Sequence, residues 1–118
     1  MGATMSTQYR VLKANGEKSS HETDIPIPAA FEELRPVIEP HLGGGLMQRV
    51  SVIDPMPGDG HVDMFVDEMA DAKGLAPNPE ATIIYRAAHL KLFPEANPSE
   101  LPMIRGTAVL FPYRVVRD

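Results

Sequence analysis

Seven residues have types and spacing that could do chemistry together: Asp67, Glu68, Lys73, Asn78, Tyr85, Arg86 and Arg105. Carboxylates of an Asp-Glu pair accept hydrogen bonds or hold a cation, and guanidinium forks grip an anionic group. Asn78 offers a donor and an acceptor, and Tyr85 a ring with a hydroxyl. If these side chains meet in one concavity, the expected chemistry is small-molecule or nucleotide binding. Each also has a plainer role. Asn78 can be a helix cap, Glu68 a strand-end charge, Tyr85 a core-edge aromatic and Arg86 a solvated cation. Tyr85 and His89 fall one helical turn apart and, with Arg86, could line a pocket for a planar or anionic ligand.

A second grouping is acidic. Between Arg49 and Lys73 the chain has no Lys or Arg, but it has Asp54, Asp59, Asp63, Asp67, Glu68 and Asp71, with His61 among them. Hard cations take oxygen ligands of this kind. His61, Asp63 and Asp67 would share one face of a strand. The run "DPMPGDGHVD" nevertheless lacks the full EF-hand spacing. A solvated strand face is the favoured reading, and neither a metal nor a cofactor is expected.

Other motifs subtract rather than add. Gly43, Gly44 and Gly45 follow a helical pattern and precede a strand, the reverse of a phosphate-binding loop. They read as a helix stop. The serines and the four histidines include no Gly-x-Ser-x-Gly elbow. No residue is nominated as catalytic, so a binding protein is preferred to an enzyme.

Composition narrows the class. A chain of 118 residues fits one domain with a real core. Its net charge of −5 and pI near 5.3 disfavour a sequence-independent nucleic-acid binder. Arg105, Arg114 and Arg117 with Tyr113 could still make a local basic edge. The absence of cysteine removes disulfides, thiolate metal ligands and cysteine nucleophiles. No apolar run reaches the length of a membrane span and no secretory segment is visible, so a cytoplasmic location is expected. Gly2 and Ser6 satisfy the permissive myristoylation pattern, but Met5 could equally be the native start. Residues 1–6 are expected to be disordered or cloning-derived, within a single domain spanning 1–118.

The elements that must position these residues follow from periodicity and punctuation. "TQYRVLKA" alternates as a strand, and Asn15-Gly16 signals a hairpin into a polar edge strand, "SSHETDI". Phe31, Leu34 and Ile38 form a helical stripe in which Pro36 demands a kink or a break. "LMQRVSVID" and "HVDMFVDE" read as a second hairpin across "PMPGDG". Asn78, Pro79 and Glu80 open a helix as cap, first residue and first-turn acid. "MIRGTAVLFPYRVV" closes the chain as a strand apolar enough to be central, with Gly106 marking a bulge or close approach. The order β-β-α-β-β-α-β predicts a small α+β domain: a mostly antiparallel sheet with both helices packed on one face.

"MFVDEMADAKGLAPNPEAT", followed at a distance by "IRGTAVLF", resembles the domain-of-unknown-function family numbered 3846. The features that carry the resemblance are Val66 to Glu68, Lys73-Gly74-Leu75, Asn78 and Gly106-Thr107, and "LRPVIEPHLGGGLMQRVSV" is similar to that family's helix leading into a strand. The likeness covers about residues 8 to 116, although "MADA" departs as an insertion-like variant and the proline-rich loop 93–102 is long. It implies an accessory protein of phages or mobile elements, and it implies no reaction. The expected role is therefore a small non-catalytic binding or accessory protein acting through a protein partner or self-association. A ligand-binding domain and a nucleic-acid accessory are the alternatives.

Overall fold

The computed structural model describes residues 6–53 and 61–117, the side chains of 51–53, 61 and 62 excepted. Asp54, Asp59, the "PMPGDG" turn, the side chains of Ser51 and His61, Gly2 and the Met5 start all lie outside the described residues.

Two strands, β1 (Thr7–Leu12) and β2 (Lys18–Thr23), pair antiparallel from Thr7 opposite Thr23 to Leu12 opposite Lys18. The turn between them places Gly16 at φ 93°, with its N–H donating to the Lys13 carbonyl at 3.0 Å. Lys13 N–H then bonds the Glu17 carbonyl at 2.8 Å, and the Asn15 side chain accepts from Glu17 N–H at 2.9 Å. A glycine in the left-handed region closes such a three-residue loop. The first helix, α1 (Phe31–Ile38), keeps Pro36 inside it. The break comes after Ile38, where a 3₁₀ turn (Glu39–Leu42) begins with Pro40 in it. Gly43 ends this element at φ 77° and donates back to the Pro40 carbonyl, as its helix-stop reading requires.

Then come β3 (Met47–Ile53), β4 (His61–Asp67), α2 (Pro79–Leu92), a 3₁₀ turn at Pro98–Glu100 and β5 (Ala108–Phe111). The five strands form one antiparallel sheet in the order β2-β1-β5-β4-β3. This is the expected α+β order, with β5 at the centre and β2 at an edge. The closing strand is shorter than "MIRGTAVLFPYRVV". Gly106 and Pro112 bracket the paired part, and beyond it the chain pairs instead with Ala29 through Val116.

One expectation is corrected. The helices lie on opposite faces of the sheet, not on one. Leu34 and Ile38 of α1 pack with Tyr9, Val11, Phe65, Val109 and Phe111. Ala81 and Ala88 of α2 pack with Leu12, Met64, Val66, Ala108 and Leu110. Successive strand residues point to opposite faces, so β4 and β5 feed both cores. All four residues of β5 are buried, as a strand covered on both sides must be.

Candidate functional site

The stretch that leaves β4 is held by its own side chains. Asp67 Oδ2 accepts from Lys73 Nζ at 2.7 Å, and Asp67 Oδ1 accepts from Met69 N–H at 2.8 Å. Backbone bonds from Ala70 to Asp67, Lys73 to Met69 and Leu75 to Ala70 wind residues 68–74 into turns, with Gly74 at φ 66°. The Asp67 side chain is buried, whereas Lys73 is 45% exposed. Burial pushes the Asp67 carboxyl up, but the Lys73 ammonium and the Met69 N–H outweigh it and hold it below the usual carboxylate range. Gly45 makes room for this pair. A Cβ there would lie 2.5 Å from Asp67 Oδ2 and 2.8 Å from Lys73 Nζ. The glycine triplet therefore has two jobs, and only helix termination was legible in the sequence.

Asn78 is more than a cap. Its Oδ1 accepts from Ala81 N–H at 3.2 Å, which is the expected cap. Its Nδ2 donates to the Leu12 carbonyl and to the Gly106 carbonyl, both at 2.9 Å. The residue is fully buried and ties β1, α2 and the approach to β5 together. Gly106 N–H donates to Ala76, and Leu75 crowds the place of a Gly106 Cβ at 2.7 Å, which is the close approach expected there.

Four of the seven nominated residues share one cleft. Asp67, Glu68, Tyr85 and Arg105 line a cavity of about 270 Å³ with Gln48 and Met103. Its walls are β3, β4, the turn after β4, α2 and the segment before β5. Glu68 is exposed as the strand-end charge it was read to be, and its N–H donates to the Leu46 carbonyl at 2.9 Å. Arg105 donates to the Leu75 carbonyl at 3.2 Å and pairs with Asp71 at 3.4 Å. Asp71 is 90% exposed, so that pair is weak and can exchange for a ligand.

The other three residues do not line the cleft. Lys73 is committed to Asp67, and Asn78 to the interior. Arg86 donates from Nη2 to the Leu101 carbonyl at 3.1 Å, so it anchors the proline-rich loop. Its buried Nε has no hydrogen-bond partner among the described residues. Gln48 and Met103 escaped the sequence reading. Neither stands in a motif, and Gln48 on β3 and Met103 before β5 come to one cleft only because β4 pairs with both β3 and β5.

Of the acidic strand face, Asp63 is consumed by structure. Arg49 Nε donates to its Oδ1 at 2.9 Å, and the N–H groups of Val115 and Val116 donate to its Oδ2 at 2.7 and 3.4 Å. Among the described residues no three His, Asp or Glu side chains are grouped to hold a metal. Tyr85 and His89 do stand together, with ring centroids 6.1 Å apart. Arg105 lies in the cleft, Arg117 pairs with Glu33 at 3.3 Å, and the Tyr113 hydroxyl meets that of Thr7 at 3.1 Å. No helix among the described residues is long and apolar enough to cross a membrane.

No family model matches the chain, and no match was found among curated proteins or solved structures.

Proposed function

We propose that this is a non-catalytic binding protein and that the cleft beyond β4 is its contact site for a protein partner. The observation that supports the reading is exposed apolar surface at and next to the cleft. Met103, which lines it, is 43% exposed; Met69, between the lining residues Glu68 and Ala70, is 49% exposed; and Leu46, whose carbonyl accepts from Glu68 N–H, is also exposed. Thioether side chains adapt to irregular partner surfaces. Glu68, Asp71 and Arg105 add a polar border, as contact surfaces have. An accessory role in a phage or mobile element rests on the resemblance of residues 66–78 and Gly106-Thr107 alone.

The test is a photo-cross-linking residue at position 103, with a control at Lys13 in the β1–β2 turn. A discrete cross-linked partner, or a second copy, is expected at 103 and not at 13. Met69→Glu with Met103→Glu should abolish it without lowering the unfolding midpoint. Equal or absent cross-linking at both positions overturns the reading.

A second reading has one observation in its favour: Tyr85 and Arg105 meet in the same cleft, whose volume approaches that of small-ligand sites. Thermal unfolding across nucleotides, cyclic nucleotides and divalent metals tests it. A native-state ligand raises stability by about 2.7 kcal/mol at a hundredfold excess over its dissociation constant. That gain should vanish in Tyr85→Ala/Arg105→Gln.

A further inference from the structure

Among the described residues Arg10 is the only lysine or arginine whose side chain has no hydrogen bond or ion pair. In a chain with sixteen acidic and eleven basic residues that is unexpected, because partners are in excess. A register partner of Arg10 on β2 is Ser20, and on β5 it is Leu110. Gln8, two residues earlier on β1, stands on the same face. Among the described residues neither the Gln8 amide nor the Ser20 hydroxyl has a partner. All three polar side chains are exposed on the α2 side of the sheet, toward its β2 edge. They line a cleft of about 330 Å³ together with Tyr9, Leu110, Phe111 and Pro112.

We propose that this cleft binds a small organic carboxylate. The Arg10 guanidinium takes the carboxylate through its planar fork, and the Gln8 amide and Ser20 hydroxyl complete the donor set. Pro112, exposed at the mouth of the cleft, receives the apolar body of the ligand over the buried Leu110. Glu22 decides the charge. It stands opposite Gln8 in the β1–β2 register, and its carboxylate accepts from the Ser6 hydroxyl at 2.7 Å instead of pairing with Arg10. A carboxylate near the cleft adds a repulsion that grows with the charge of the ligand, so a singly charged carboxylate is favoured over a multiply charged phosphate. The site is separate from the cleft beyond β4 and stands whether or not that cleft binds a partner.

The experiment is an amide and arginine Nε–H NMR titration of the full chain with sodium butyrate, at constant ionic strength. A parallel arm uses inorganic phosphate. Saturating shifts are expected at Gln8, Arg10, Ser20 and Leu110 in the butyrate arm. Arg10→Gln, an exposed substitution that leaves the rest of the spectrum in place, should weaken binding roughly tenfold or more. Glu22→Gln should strengthen it. The proposal is overturned by butyrate shifts that do not saturate, or by an Arg10→Gln protein that binds like wild type. Saturation by phosphate with no response to butyrate overturns the carboxylate assignment.

Discussion

Asn78 shows how one residue type can carry two structural roles. Its position before Pro79 and Glu80 marks a cap, and a cap removed by alanine costs about 1 kcal/mol. Its two amide donors satisfy buried carbonyls of Leu12 and Gly106 that have no route to water. Asn78→Asp separates the roles. A carboxylate keeps the acceptor for Ala81 N–H and adds favourable charge at a helix start, so a mere cap would be unharmed. Here it loses both donors and faces two carbonyl oxygens. Loss of about 3 kcal/mol is expected in chemical denaturation, with Asn78→Ala similarly affected. A neutral Asn78→Asp would return the residue to a cap.

At the scale of elements, β2 and the turn after α1 meet through histidine. His21 and His41 have ring centroids 4.6 Å apart, and the Tyr9 hydroxyl lies 3.0 Å from His41 Nε2. Ser19 bonds His21 Nε2 at 2.8 Å, and Phe111 stacks on the far side of Tyr9. Burial pushes the His41 imidazole down, and the neighbouring His21 adds to it. A lowered folded-state value means the unfolded chain binds the proton first. Stability is therefore whole above the usual imidazole range and falls as pH drops through it. The unfolding midpoint should decrease between about pH 7.5 and pH 5.5, and His41→Gln should flatten that decrease. An equal slope in the variant would place the titration elsewhere. Burial also pushes the Tyr9 phenol up.

For the whole molecule, Asp63 is the point where the closing segment around Val115 and Val116 is joined to the sheet. Val115 and Val116 pack in the α1-side core, and Ala29 exchanges backbone bonds with Val115 and Arg117. The carboxylate of Asp63, 1% exposed, receives Arg49 and two amides of that closing segment. Asp63→Asn turns an amide N–H₂ toward donors. Breaking one side of a buried pair costs about 3–5 kcal/mol, and destabilisation at the lower end is expected. Hydrogen exchange at Val115, Val116 and Ala29 should accelerate before exchange in the sheet centre. Uniform acceleration would mean that Asp63 supports the sheet and not the closing segment.

The element order, the helix stop at Gly43, the Asn78 cap and the central place of β5 were legible because each depends on neighbours in the chain or on local apolarity. The face each helix takes was not. Phe65 lies between Asp63 and Asp67, so that face of β4 looks polar until Arg49 and Lys73 neutralise its carboxylates. Those partners are 14 and 6 residues away, and pairing at such separations is set by sheet register and by the turn after β4. The same holds for the sites. Residue types named Asp67, Glu68, Tyr85 and Arg105. Only the order β2-β1-β5-β4-β3 decided that these four share a cleft, that Lys73, Asn78 and Arg86 serve the fold, and that the Arg10 side chain is left without a partner among the described residues. The physical reason is that composition and periodicity act along the chain, whereas a concavity and an unpaired charge depend on what distant segments bring to the same place.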